Sequence, residues 1–232
     1  MTPGGQGMNR GTMGAAGRVV VVWDLPTRAF HWLTVALVAA AYATWRCNWM
    51  DWHARVGEAL LGLLLFRLAW GVVGSDTARF ARFLASPAAA GRHLARLFQR
   101  EPDDEIGHNP AGGWMVLLLL ALLLGQALTG IVVNNDVANA GPFTDIMPAT
   151  VANVVTDLHG LLWDALLAAV ALHVVAIALY AAAKGHNLLR PMLTGRKFLP
   201  GDRAPPRLAS AARAILALAG SAAAAALLAT YL

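Results

Sequence analysis

The stretch DLHGLLWDALLAAVALH, residues 157–173, decides how this chain folds. Between its two histidines, His159 and His173, the only charged residue is Asp164. With the apolar residues that follow, the run over 160–183 reaches the roughly 20 residues that a helix needs to cross about 30 Å of hydrocarbon. At about 100° and 1.5 Å per residue, 14 residues bring the second imidazole to within about 40° of the first, about 21 Å further along the axis. The two rings therefore face one interior at two depths. An imidazole among lipid tails costs free energy unless it has a partner. One metal ion cannot span that distance, so the pattern asks for two separate sites inside a membrane.

The rest of the chain supplies the bundle. Of its 232 residues 58% are hydrophobic and 13% charged, too little polar material to coat a soluble globule of this size. Further apolar runs over 30–50, 54–73, 114–133 and 208–232 bring the expected spans to five. The last is dominated by alanine, which contributes less transfer free energy than leucine or valine. The formal net charge is +5, but the cations form no aromatic-interleaved patch, so nucleic acid is not an expected partner. They cluster before the first span, between the second and third, and between the fourth and fifth. The positive-inside rule makes these segments cytoplasmic. The N-terminus is then cytoplasmic and, with five spans, the C-terminus periplasmic, in a bacterial inner membrane. Trp45, Trp49, Trp52 and Trp163 fall at the proposed outer ends, and Trp23, Trp32, Trp70 and Trp114 at the inner ends.

Local signals add detail. Asn109 and Pro110 form an N-cap followed by the proline favoured in a first helical turn. Residues 75–107 carry Phe80, Phe83, Leu84, Leu94, Leu97 and Phe98 at the spacing of a helix lying along the membrane surface. The first 17 residues are rich in Gly and Met and read as disordered. They are not a signal peptide, because Val19–Val22 is too short for an apolar core and charged residues follow it. A single cysteine, Cys47, excludes an internal disulfide and a cysteine-ligated cluster, and no C-x-x-C-H motif is present. Any heme here is held noncovalently.

Each depth on the fourth span needs a second ligand on another helix. His53 opens the second span at the outer level, and His31 opens the first at the inner level. The expected pairs are His53 with His159 and His31 with His173. Two histidines across one heme iron leave no open coordination position, which suits one-electron transfer. The competing reading, four imidazoles each bonded to a backbone carbonyl, leaves their pairing in depth unexplained. Zinc is disfavoured, because neither level offers the three or four clustered ligands it takes. Arg67 lies 14 residues after His53 and reaches the inner level; it can meet the propionates of that heme or snorkel to the headgroups beside Trp70. Arg55, two residues from His53, is the outer counterpart. Glu58 is a candidate for an ion pair or proton role. Gly57, Gly62, Gly125, Gly130 and Gly160 leave room for a flat macrocycle or for helix packing. His93, His108 and His186 fall in cytoplasmic segments as solvated or interfacial residues, His108 and His186 with a smaller role against a quinone or partner. Cys47 reads as a packing residue.

These residues resemble a known family, the bacterial cytochromes b561 and the related cytochrome b subunits of nickel–iron hydrogenases. The carrying segments are VVVVWDLPTRAFHW (19–32), HARVGEALLGLLLFRLAWGVVGSDTARF (53–80), GHNPAGGWMVLLLL (107–120), LTGIVV (128–133), DLHGLLWDALLAAVALH (157–173) and KGHNLLRPMLTGRK (184–197). The resemblance implies an all-α, integral-membrane, up-and-down four-helix bundle carrying two noncovalent hemes b on His31, His53, His159 and His173. It also implies electron exchange between the quinone pool and a redox partner. The chain divides accordingly into an N-terminal segment 1–18, a di-heme domain 19–198, and a linker with a fifth transmembrane helix, 199–232.

The expected function is electron transfer between quinone and a periplasmic redox protein, such as a c-type cytochrome or a hydrogenase, for which the segment 134–157 offers a docking surface. Whether the chain also counts as a quinone oxidoreductase enzyme is left open, and a homodimer is admitted. The close alternative is the membrane anchor of a hydrogenase or other periplasmic oxidoreductase. The distant one is a small transporter or structural subunit, against which the largely continuous spans speak.

Overall fold

A computed structural model describes residues 17–100, 103–133, 148–199 and 203–231. The expected disorder of the N-terminus therefore lies outside the described residues from 1 to 16, as does most of the outer segment, 134–147. The chain begins with strand β1 (Arg18–Val21) and continues with helices α1 (Leu25–Arg46), α2 (Met50–Val73), α3 (Phe80–Phe83), α4 (Pro87–Ala95), α5 (Pro110–Gly130) and α6 (Ala149–Leu179). A π turn, Tyr180–Lys184, extends α6; α7 (Leu189–Thr194), strand β2 (Arg196–Leu199) and α8 (Ala211–Tyr231) follow.

Helix boundaries follow from side-chain chemistry. Asp24 caps α1 by accepting from Thr27 N at 2.7 Å, with Pro26 in the first turn. Asn109 caps α5 by accepting from Gly112 N at 2.7 Å, as its sequence signal promised. Asn48, with φ 56°, makes the left-handed step in the tight α1–α2 turn, a conformation asparagine tolerates.

The helices α1, α2 and α5 pack in series, α6 lies along α5, and α8 lies along α2. Among the described residues α6 makes no comparable packing with α1 or α2. What joins the helices is a buried leucine layer at mid-depth. It holds Leu60 and Leu64 of α2, Leu120 and Leu123 of α5, and Leu166 of α6, with Leu37 and Val38 of α1 against it. Leu166 stands seven residues from His159 and seven from His173, so this layer separates the two histidine levels.

At one end of the bundle the three basic segments meet. β1 pairs antiparallel with β2, tying the chain before α1 to the chain after α6. Gly195, with φ 77°, accepts from Val22 N and Trp23 N, and a Cβ there would lie 2.7 Å from Trp23 O. Only glycine suits both its conformation and that close approach. Thr77 Oγ1 donates to Val22 O at 2.7 Å, while Asp76 N donates to Arg207 O at 3.0 Å and anchors the start of α8.

Among the described residues four helices are long and apolar enough to cross a membrane: α2, α5, α6 with its π turn, and α8. The alanine-rich segment is thus among them. The first span, by contrast, is not. α1 has 22 residues, but Arg28, His31, Thr34 and Thr44 dilute its apolar character. The fourth span is longer than expected: its 36 residues measure about 54 Å, so it extends well beyond the hydrocarbon. The segment 75–107 forms two short helices rather than one surface helix. Phe83 is buried while Phe98 is exposed, because the chain turns at Ser86–Pro87 and again after Ala95. Trp23 and Trp70 are core residues rather than headgroup anchors: Trp70 is fully buried, and its Nε1 donates to Asp24 Oδ2 at 3.2 Å.

Asp24 therefore serves a helix cap and the Trp70 indole, and its charge acts on the buried Arg67. Asp24→Ala should cost about 2–4 kcal/mol, the sum of a lost cap and unpaired buried donors. Asp24→Asn, which keeps the acceptor, should cost less. Thermal midpoints in detergent check this, and equal losses in both variants would contradict it.

Candidate cofactor-binding site

The two histidine levels open on either side of the leucine layer. At the inner level His31 lies nearly two turns into α1 rather than at its first residue, and faces His173 of α6. Their ring centroids are 6.4 Å apart. A metal binds an imidazole nitrogen at about 2.0–2.1 Å, so two rings bound on opposite sides of one metal have centroids about 6.3 Å apart. His31 Nδ1 is buried with no hydrogen-bond partner among the described residues. No group of three or more His, Cys, Asp or Glu side chains that could hold a bare metal ion occurs among them either. The spacing suits a metal that brings its own equatorial ligands.

At the outer level His53, in the first turn of α2, is close enough to His159 for the two rings to act on each other electrostatically. Both rings are oriented by neighbours. His53 Nδ1 lies 2.9 Å from Ala41 O; a carbonyl only accepts, so Nδ1 carries the hydrogen and Nε2 presents a lone pair. His159 Nδ1 lies 2.9 Å from Thr129 Oγ1, whose own hydroxyl donates to Gly125 O at 2.8 Å. That assigns the His159 hydrogen to Nδ1 as well, leaving Nε2 to accept from the Gln126 amide at 3.0 Å. Nδ1–H held by a backbone or hydroxyl oxygen, with Nε2 as the ligating nitrogen, is the arrangement metal-ligating histidines use; at His159 the Gln126 amide occupies Nε2 and has to turn aside before that nitrogen can ligate.

The glycines divide by neighbour. A Cβ at Gly57, one turn from His53, or at Gly160, beside His159, would meet nothing within 4 Å. One at Gly130 would lie 3.2 Å from His159 Cε1. Gly62 faces Ala225 of α8 and Gly125 faces Leu162 of α6, so these two serve helix packing.

Arg67 does not snorkel. It is 2% exposed, donates to Ala78 O at 3.1 Å, and lies over the Phe30 and Phe80 rings. Arg55 is exposed, with its guanidinium over Trp52. Glu58 is exposed, and so is Cys47, because it ends α1 in the outer turn rather than packing in the bundle.

Of the remaining histidines, His186 lies 3.9 Å from Asp103. His93 Nε2 lies 2.8 Å from the Tyr180 hydroxyl. His108 departs most from the solvated role: its ring sits between Trp23 and Phe83, centroids 4.6 and 4.5 Å away, with Nδ1 sealed from solvent.

Gln126 and Thr129, which orient His159, are not among the candidates drawn from the sequence, although two polar residues three apart in an otherwise apolar span mark a face toward a neighbour.

Comparison with known families now decides the class. The family model for prokaryotic cytochrome b561 matches residues 22–195, the whole run from the end of β1 to the start of β2. This chain belongs to the prokaryotic cytochrome b561 family. It is a membrane cytochrome, a multi-pass membrane protein of a class that carries heme b and serves electron transfer. No curated protein and no solved structure gives a significant match.

Burial, with Arg67 and His173 nearby, pushes the His108 imidazole down to about 3. The unfolded chain has a value near 6.5, so folding favours the neutral ring. The associated stability is complete above about pH 6.5 and declines as pH falls toward 3. At pH 5.5 the loss should be about 1 kcal/mol. His108→Phe should flatten the fall in thermal midpoint between pH 7.5 and 5.5; an unchanged slope would contradict this.

Proposed function

We propose that this cytochrome b561 holds two hemes b, one between His53 and His159 and one between His31 and His173, and transfers electrons across the bacterial inner membrane between the quinone pool and a periplasmic redox protein. The observation that carries the reading is the inner pair of imidazoles at 6.4 Å, with His53 and His159 on the other side of the leucine layer. Bound heme, held by the two histidines of each pair, would supply reversible one-electron chemistry.

The chain's own part is to hold and insulate. The oxygens of Thr129 and Ala41 keep the outer imidazoles in the ligating tautomer. The leucine layer excludes water between the levels. Arg67, a buried cation beside Asp24 and His108, supports the anionic edge of the inner group, while Arg55 supplies a surface cation at the outer level. α1 counts as a fifth span in this reading, because the packing of α1 on α2 carries His31 to the depth of His173. The end where the basic segments meet is then cytoplasmic, with the N-terminus on that side and α8 leading outward.

A pyridine hemochrome assay should count two hemes per purified chain, and the reduced-minus-oxidised spectrum should show b-type bands. His31→Ala and His173→Ala should each remove the same heme, and His53→Ala and His159→Ala the other. One heme per chain, or different hemes lost within a pair, would refute the assignment.

Thr129→Val keeps the shape but removes the oxygen that holds His159 Nδ1. Losing such a partner weakens metal affinity about 10–100-fold. Heme titration should show that loss at the outer site alone, with Thr129→Ser near wild type; loss at the inner site instead would reverse the pairing.

A further inference from the structure

Beside the sheet lies a cleft of about 550 Å³ that heme binding leaves unused. Its walls are the outer face of the β1–β2 ribbon and one side of α7. Directly opposed residues of an antiparallel pair share a face, so Val19 with Phe198, and Val21 with Arg196, form the outer face. Val20 and Leu199 on the other face are buried in a cluster with Val22 and Trp23. On α7 the residues toward the cleft are Arg190, Pro191 and Thr194.

Two chemistries meet in this cleft. Val19 and Phe198 are each about two-thirds exposed, at 65% and 66%, a large apolar display for a four-residue ribbon. Arg190 and Arg196 are exposed, and among the described residues no carboxylate pairs with either. Lys197 also lines the cleft, but its ammonium is already engaged, donating to Asp103 and to Glu105 O. A bare pair of guanidiniums above an apolar floor suits an amphiphile with a phosphate head.

Depth points the same way. α7 begins five residues after the π turn that ends the α6 span. It is fixed to the first turns of α1, with Arg28 donating to Leu193 O at 2.7 Å and Trp32 Nε1 to Met192 O at 3.3 Å. Trp32 is exposed, as a tryptophan at headgroup level is. Leu189 and Leu193, which do not line the cleft, are about half exposed, as leucines beside lipid are. The cleft thus opens where phospholipid headgroups lie.

We propose that this cleft binds an anionic phospholipid, its phosphate held by Arg190 and Arg196 and its glycerol and first acyl carbons laid on Val19 and Phe198. Bound lipid would bridge the ribbon and α7, fastening the start of α1, and so His31, to the end of α6.

The test uses the full chain in mild detergent with an equimolar mixture of phosphatidylglycerol and phosphatidylcholine, counting bound lipids by native mass spectrometry. A basic side chain near an anionic headgroup contributes about fivefold. Phosphatidylglycerol should therefore be enriched about tenfold or more at one tight site. Arg190→Gln/Arg196→Gln should bring the two lipids near parity, while Arg190→Lys/Arg196→Lys should keep most of the preference. The same charge change outside the cleft lining, Arg82→Gln/Arg100→Gln, should leave it intact. A wild type without preference, a preference that survives Arg190→Gln/Arg196→Gln, or equal loss in that control would overturn the proposal. So would glycerol phosphate or a polyglutamate peptide displacing the lipid at equal concentration, since either would assign the cleft to a soluble anion or an acidic protein. The result is independent of membrane orientation and of heme content, which the hemochrome assay reads separately.

Discussion

A histidine ring surrounded by hydrocarbon is tolerable only when both its nitrogens have somewhere to go, and this bundle is arranged around that requirement. Four such rings occur, and the helices bring them together in pairs on either side of a leucine layer. Were the helices packed tightly along their whole length, no room would remain beside the imidazoles. Between the two levels Leu60, Leu64, Leu120, Leu123 and Leu166 interlock at mid-depth.

The two levels are built differently. Outside, each ring is oriented by a fixed oxygen: the carbonyl of Ala41, or the Thr129 hydroxyl, itself committed to Gly125 O. Inside, His31 and His108 each bury an Nδ1 with no such partner among the described residues, and Arg67 is the nearby buried cation. For the two hemes proposed above, such different surroundings would set two different potentials.

The end that carries the basic segments also does structural work. β1, β2, the Asp24 cap and the Asp76–Arg207 contact fasten the starts of α1 and α8 to the ends of α2 and α6. His31 gains its position from this clasp, because α1 is the least apolar of the long helices and depends on its neighbours for its depth.

Much of this was legible in the amino-acid sequence alone. Apolar length fixes where α2, α5, α6 and α8 run, since hydrocarbon thickness demands about 20 residues. The 14-residue interval between His159 and His173 sets two levels on one face, since helix geometry is periodic, and the Asn109–Pro110 signal placed the start of α5. Tertiary structure alone decided what each side chain meets. That Trp70 serves Asp24, that Arg67 is enclosed by Phe30 and Phe80, that His108 is sandwiched by aromatics, and that Gln126 and Thr129 reach His159 all depend on helix rotation and on contacts between residues far apart in the chain. The β1–β2 ribbon belongs with these: four residues of valine-rich chain become a strand only when a distant segment supplies the other half of its hydrogen bonds. Periodicity reports which face of a helix is apolar, but a partner across a bundle is chosen by packing.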